Sequence, residues 1–364
     1  MNRLKKFAAS LALSLALPLA CISSAMAVET VVFGTVTRIT VGYAPLIAAQ
    51  ELGYFKEENI DLQIREFVGS AVLMPQIATK QVTIGYPAAD VLILTRQPGR
   101  DPMPAKFFYN AVRSSIWEFY VPEKSPIKSI SELKGKKIGI AALANGNVPI
   151  TRALFKEMGM TEGKDYEFTT IGVGAPAFNA LVKGEVDVYN TFDVNAALMT
   201  TSGIKVRRLE IPKKYSQLMS NGYVTHEDNI KNKPQMLAGF GRAASKGVIA
   251  CDENPRWCVS TFWKHFPQTK PQQGTEEEKM NKALAMLAAR QAGNLNFSDI
   301  GGKKRFGYYA PDIWKNYVQV LHDGGQMSVN QIDTSTVYTN AFVDEFNKFD
   351  EAKVRATVRS LKGQ

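Results

Sequence analysis

The sequence predicts an α/β protein of two lobes, each a mostly parallel sheet flanked by helices, the two joined by a two-segment hinge. Three observations carry this reading. Short β-branched runs alternate with helical runs through two successive series, the pattern of a parallel sheet with helices on its faces. Once an N-terminal leader is set aside, about 337 of the 364 residues remain, more than one hydrophobic core usually organises. Two extended stretches, Ile116–Val121 and Met219–Val224, have the placement of an outward and a return crossing between lobes.

The leader comes first. Arg3, Lys5 and Lys6 precede an apolar run from Phe7 to about Ala20 and a small-residue end, Ala25-Met26-Ala27. Together these read as a secretory signal peptide over residues 1–27, with the mature chain starting near Val28 and residing in the periplasm. The apolar run is short for a membrane span and is followed at once by the cleavage site. Cys21 follows Pro18-Leu19-Ala20, a poor lipoprotein box, so a lipid anchor is the lesser alternative. Loss of the three leader cations lowers the formal charge from +10 to +7, which favours anionic ligands or simply keeps the protein soluble. No run of Lys and Arg interleaved with aromatics points to nucleic acid.

From Glu29 the first series runs Thr30–Gly34 (strand), Leu46–Leu52 (helix), Leu62–Phe67 (strand), Ala71–Lys80 (helix), Val82–Gly85 (strand), Ala89–Thr95 (helix) and Ala105–Asn110 (strand). The second series runs Lys137–Ala141 (strand), Pro149–Met158 (helix), Tyr166–Ile171 (strand), Ala175–Lys183 (helix), Val186–Tyr189 (strand), Val194–Thr200 (helix) and Lys205–Leu209 (strand). Residues 28–116 and 222–364 then form lobe 1, and residues 117–221 form lobe 2. After Val224 the apolar spacing turns helical in Lys233–Ala250, Pro255–His265, Thr275–Ala292, Pro311–Asp323 and Thr339–Phe349. The sheet of lobe 1 is the surface these helices are expected to cover.

Cys251 and Cys258 are a disulfide candidate in an oxidising compartment, the alternative being two reduced, buried cysteines. Seven residues of unbroken helix would hold them roughly 10 Å apart, beyond disulfide reach. Asn254-Pro255 supplies the necessary break, because proline disfavours helix in the residue before it and suits a new first turn.

Four motifs follow in order: Gly42-Tyr43-Ala44-Pro45; Glu51-Leu52-Gly53-Tyr54-Phe55-Lys56-Glu57-Glu58; Ser131-Glu132-Leu133-Lys134-Gly135-Lys136-Lys137-Ile138-Gly139; and Leu181-Val182-Lys183-Gly184-Glu185-Val186-Asp187. Physically most of this is scaffold. Gly53 suits a left-handed helix cap with Tyr54 and Phe55 packing under the sheet, and Gly135 suits a turn before the buried run Ile138–Ile140. In this order and spacing the motifs resemble the nitrate/sulfonate/taurine-type solute-binding proteins, a group that includes NMT1/THI5-like thiamine-precursor-binding proteins. The resemblance covers about Val31 to Lys264. It implies a type II periplasmic-binding-protein-like fold and a monomeric ligand-capturing subunit of an ABC importer. Its partners would be an inner-membrane permease with a cytoplasmic ATPase, and it would need no cofactor or metal.

Ligands of open α/β sheets bind where strand carboxyl ends lead into helix N-termini. That rule selects Thr35–Tyr43, Gly69-Ser70-Ala71 and Gly85-Tyr86-Pro87-Ala88-Ala89 in lobe 1, and Leu143-Ala144-Asn145-Gly146-Asn147 and Asn190-Thr191-Phe192-Asp193 in lobe 2. From these loops the candidate ligand contacts are Arg38, Thr40, Tyr43, Gly69, Ser70, Tyr86, Ala88, Asn145, Gly146, Asn147, Asn190, Phe192 and Asp193. Gly69 would let a ligand approach the backbone, with Ser70 either donating to it or merely capping a helix. Arg38 would grip a carboxylate or sulfonate, or form a salt bridge, and Arg113 is a weaker candidate of that kind. Tyr43, Tyr86 and Phe192 would sandwich a flat ligand, or belong to the core. Asp193 would hold a ligand amine or pair with Arg38 across the lobes.

These features favour an organic anion, a sulfonate or aromatic carboxylate, captured as the lobes rotate about Trp117–Val121 and Met219–Val224. A neutral pyrimidine or thiamine precursor is the alternative, and a sensing role is a third. Catalysis is not expected. His226, His265 and His322 lack metal-ligand spacing, and neither a Gly-x-Ser-x-Gly elbow nor a phosphate loop is present. The pyrimidine-synthesising members that the resemblance brings in carry a clustered-cysteine CCCFC motif, which this chain lacks.

Overall fold

A computed structural model of the chain describes residues 28–362; the leader and Cys21 lie outside them. Ten strands form two five-stranded sheets: β1 (Glu29–Thr35), β2 (Ile60–Glu66), β3 (Ile84–Gly85), β4 (Ala105–Asn110), β5 (Trp117–Pro122), β6 (Lys136–Ile140), β7 (Tyr166–Thr170), β8 (Val188–Phe192), β9 (Val206–Leu209) and β10 (Gly222–His226). The orders are β2-β1-β3-β10-β4 and β7-β6-β8-β5-β9. In each sheet the fourth strand runs antiparallel to its neighbours, and in each it is the first strand after a crossing. The two lobes thus share one topology, as the repeated strand-helix series requires.

The inner parallel strands β1, β3, β6 and β8 are buried along most of their length and read as apolar runs, whereas the edge strands β2 and β7 mix buried and exposed residues. Val31 and Phe33 of β1 and Ile138 and Ile140 of β6 are fully enclosed. Gly53 has the left-handed φ of 77° that lets Tyr54 and Phe55 turn back into the core, and Gly135 has a φ of 76° ahead of β6. Cys251 and Cys258 are bonded with their Cα atoms 5.3 Å apart, because the helices Pro234–Glu253 and Pro255–His265 meet at Asn254, whose side chain caps the second.

Three expectations need correction. Trp117–Val121 lies inside β5 and Gly222–Val224 inside β10, where ladder hydrogen bonds on both sides hold them in their sheets. The crossings are residues 111–116 and 210–221, which bond to each other through Val112 N–H to Asn221 O, 2.9 Å, and Ser220 N–H to Val112 O, 2.9 Å. Thr339–Phe349 is not one helix. The side chains of Asn340 and Asn347 bind the backbone of Tyr309 and Phe306, competing with helix formation. Only Val343–Phe346 is helical there, and a separate helix, Glu351–Arg359, starts at the Asp350 cap.

The third correction bears on function. The helix Pro234–Glu253 covers the first lobe as expected, packing on Ala44–Glu51, but Glu276–Asn294 packs on Asp193–Thr201 and Pro311–Asp323 packs on Asn147–Glu157, both of the second lobe. One broad apolar face of Pro311–Asp323, made of Ile313, Trp314, Tyr317, Val318, Val320 and Leu321, serves two neighbours at once. Trp314 meets Phe107 of β4 at a tilt with ring centroids 5.4 Å apart, while Gly324 just past the helix end lies where a Cβ would come within 2.4 Å of Ala153 Cα in the other lobe.

Candidate functional site

Loops from the carboxyl ends of both sheets converge on a narrow cavity of about 30 Å³, partly open at the seam between lobes. The first lobe supplies Thr37, Thr40 and Tyr43 after β1, Ser70 after β2 and Tyr86 after β3. The second supplies Asn145 and Gly146 after β6 and Phe192 at the end of β8. Seven predicted residues therefore meet here: Thr40, Tyr43, Ser70, Tyr86, Asn145, Gly146 and Phe192.

Each is held by its neighbours. The Ser70 hydroxyl accepts the Ala88 amide at 3.0 Å, which ties the loop after β2 to that after β3 and leaves the hydroxyl proton to donate. Asn221 Nδ2 donates to Tyr86 O at 2.8 Å. Tyr43 and Tyr86 meet edge to face with centroids 5.7 Å apart. Burial pushes the Tyr86 phenol up to about 12 and raises that of Tyr43, so both remain neutral donors at physiological pH. Trp117 meets Phe192 edge-on at 6.5 Å and closes the second-lobe wall. The Asn145 side chain is buried and has no hydrogen-bond partner among the described residues.

The other predicted residues take different places. Arg38 is exposed and does not line the cavity. Arg113 is enclosed in the first lobe, bidentate to Asp299 at 2.9 and 2.6 Å and bonded to Tyr308 O, so it has no donor fork left for a ligand. Asn147 and Asn190 bond each other at 2.6 Å, joined by Thr151, beneath the second-lobe surface. Gly69 serves lobe contact instead of ligand approach: a Cβ there would sit 2.5 Å from the Ala144 carbonyl group, and Ala71 N–H donates to Ala144 O at 3.1 Å. Ala88 packs where a Gly146 Cβ would come within 2.5 Å of it.

Asp193 does pair across the lobes, but with Arg290. The guanidinium reaches it through Nε and Nη2 at 2.8 and 2.7 Å, and Nη1 donates to the Tyr86 hydroxyl at 2.8 Å. Both side chains are nearly enclosed. Burial works against the guanidinium's charge, yet Asp193 and Tyr86 outweigh it and raise its pKa further above an already high value. Arg290 lines the cavity. It was missed because it lies in the helical tail, far from any strand end. The available signal was an arginine among alanines and leucines on a predicted helix, in Ala288-Ala289-Arg290-Gln291-Ala292.

Of the histidines, His226 Nδ1 accepts the Asp228 amide, His265 meets Glu51 and His322 meets Asp323; none lines the cavity. Among the described residues no group of three or more His, Cys, Asp or Glu is placed to hold a metal ion.

The model of the NMT1/THI5-like family matches residues 41–257. A riboflavin-binding protein of Chloroflexus aurantiacus is 21% identical over 304 residues, covering 83% of this chain and 82% of its own. A 4-amino-5-hydroxymethyl-2-methylpyrimidine phosphate synthase of Uromyces fabae is 26% identical over 317 residues, covering 83% and 84%. Among solved structures, the alkanesulfonate-binding protein of Xanthomonas axonopodis pv. citri bound to MOPS superposes with a TM-score of 0.61 at 11% identity, covering 85% of this chain and 98% of its own.

Proposed function

The chain belongs to the NMT1/THI5-like family, and on that premise we propose that it is the extracytoplasmic solute-binding subunit of an ABC importer whose ligand is a small, flat, hydrogen-bonding molecule without a full negative charge. The binding role is supported by the fold shared with an alkanesulfonate-binding protein and by the riboflavin-binding relative. It is also supported by a cavity built from both lobes at the strand ends, where closure buries a solute.

The ligand's charge is where the geometry moves the reading from the organic anion towards the neutral alternative. One observation carries it: the guanidinium in the cavity is already bidentate to Asp193. Unit charges about 4 Å apart interact by about 4 kcal/mol near a protein surface. Attraction of an anion to Arg290 and repulsion from Asp193 therefore nearly cancel, and the cost of desolvating the anion is left over. What remains on offer is the Tyr43–Tyr86 wall, Phe192, the Ser70 hydroxyl and the Asn145 amide. A neutral heterocycle with an edge of donors and acceptors uses all of these.

Catalysis is a second reading, favoured by the pyrimidine phosphate synthase relative. One experiment addresses both. The purified protein is examined by native mass spectrometry, then by thermal shift against aminopyrimidines, alkanesulfonates, aromatic carboxylates, nitrate and bicarbonate. A ligand at about 100 times its Kd should stabilise by about 2.7 kcal/mol. A shift confined to neutral heterocycles that are recovered unchanged supports the proposal. A shift confined to anions overturns the ligand class, and a chemically altered compound overturns the binding role.

A further inference from the structure

Two aspartates at the seam between the lobes have opposite surroundings. Asp193 is neutralised by Arg290. Asp90 opens the short helix Asp90–Leu94 of the first lobe, is 1% exposed, and has a fully enclosed Oδ1 with no hydrogen-bond partner among the described residues. A Cβ on Gly146 of the second lobe would come within 3.0 Å of that oxygen, so the opposite lobe is what lies against it. Beside it a groove of about 540 Å³ runs along the seam, lined by Asp90, Val91 and Leu94 from one lobe and by Leu143, Asn145 and Arg152 from the other. Parting the lobes brings water to the carboxyl through this groove, and closing them removes it.

The elements packed around Asp90 offer its charge little. Its own backbone N–H favours the carboxylate, but burial outweighs that and pushes the carboxyl up from 3.8 to about 7. The neighbouring helix Ser70–Ala78 contains no ionisable residue. The helix Pro311–Asp323 presents Tyr317, a phenol that burial first and the Asp90 charge second raise well above its ordinary value, so it is neutral. Across the seam Arg152 reaches the groove but is bonded twice to Glu162, at 2.5 and 3.1 Å. Arg100 also lines the groove, and it is exposed. None of the three histidines lines it. A carboxylate enclosed without a partner is costly, and binding a proton removes the charge.

We propose that closing the lobes takes up one proton at Asp90, so that pH sets the balance between the open and closed forms. The carboxylate belongs to the open form, where water reaches it, and the neutral acid to the closed form, where it lies against Gly146. Because the closed form has the raised value, closure is fully favoured below about pH 4. It loses about tenfold per pH unit as pH rises from about 4 to about 7, and levels off above that. On the reading that closure holds the solute, which the proposed function supplies, affinity follows the same curve.

Small-angle scattering of the ligand-free mature chain at pH 5 and pH 8 tests closure by itself. The wild type should be compact at pH 5 and more extended at pH 8. Asp90→Asn and Asp90→Ala carry no charge at this position and should stay compact at both, with thermal unfolding at pH 5 reporting that they are folded. Calorimetric titration with uracil, which does not ionise in this range, adds the solute: in buffers of different ionisation heat the wild type should take up about one proton per molecule bound at pH 5.5 and bind about tenfold or more weakly at pH 8 than at pH 5. Both effects should be lost in the two variants. Wild-type scattering that is the same at both pH values overturns the proposal, as does an expansion that persists in both variants or one that follows sodium concentration at fixed pH. Uracil that binds at neither pH counts against the proposed function and leaves the scattering to judge Asp90.

Discussion

Replacing Gly146 by alanine should weaken ligand binding while leaving the fold intact. The backbone at Gly146 has φ −67° and ψ −11°, which alanine adopts without strain. The loss of unfolded-state freedom at such a site is worth about 0.4–1 kcal/mol and offsets the poorer capping. Space is the difficulty: the new methyl would lie 2.5 Å from the Ala88 Cβ in the opposite lobe. Carbon atoms in contact prefer about 3.5–4.0 Å, so the seam must open by about 1 Å. The Ala71 to Ala144 hydrogen bond, 3.1 Å in the same seam, would then stretch beyond useful length. Overpacking of this kind costs about 1–3 kcal/mol. Charged to the closed form, that is about a 5–150-fold loss of affinity. Calorimetric titration with the tightest compound from the panel gives the affinity, and thermal unfolding without ligand gives the stability. Unchanged affinity would refute the reasoning, because it would mean that ligand binds without this seam closing. So would a fall in thermal stability as large as the fall in affinity, which would place the damage within one lobe.

Asp193→Asn should leave Arg290 uncompensated, a change that costs about 3–5 kcal/mol for buried pairs, and should raise affinity for anions while lowering it for neutral ligands. The Arg290→Leu/Asp193→Leu double variant should recover most of the loss, and a double-mutant cycle of thermal unfolding reads the coupling. Asp90 is enclosed without a hydrogen bond to its Oδ1, and burial pushes its carboxyl up from 3.8 to about 7. Its raised value means that the folded form holds the proton. Its contribution is therefore fully present below about pH 4 and declines as pH rises to about 7, by up to about 4 kcal/mol. Asp90→Asn should flatten that slope in unfolding midpoints measured from pH 4 to 8. Reduction of Cys251–Cys258, or Cys251→Ser with Cys258→Ser, opens a short loop worth about 2.5 kcal/mol on the chain-entropy model. It should lower the unfolding midpoint without altering ligand preference.

The fold was legible because its strongest signals are local. Strand and helix alternation, Gly53 and Gly135 at left-handed turns, and the Asn254-Pro255 break between the bonded cysteines all act within a few residues. Thr40, Tyr43, Ser70, Tyr86, Asn145, Gly146 and Phe192, selected because they follow strand ends, line the cavity between the lobes for the same reason. Arg290 escaped because its role depends on a helix about a hundred residues later in the chain than Asp193 being laid across the seam, which no local pattern encodes. Arg38 has the right chemistry and the right loop but turns outward, since position in a loop does not fix side-chain direction. Gly69 and Gly146 read as ligand cradles, whereas their missing side chains make room for the opposite lobe. From sequence, a glycine that admits a ligand and one that admits a second lobe look alike.

The most direct measurement is a calorimetric titration of the purified mature chain with a neutral aminopyrimidine and, separately, with an alkanesulfonate, followed by recovery and mass analysis of each compound. Saturable binding of the heterocycle, returned unchanged, with the sulfonate at least tenfold weaker, is the predicted result. Tighter binding of the sulfonate would show that Asp193 yields Arg290 to an anion, and an altered heterocycle would show that the cavity performs chemistry; either contradicts the account.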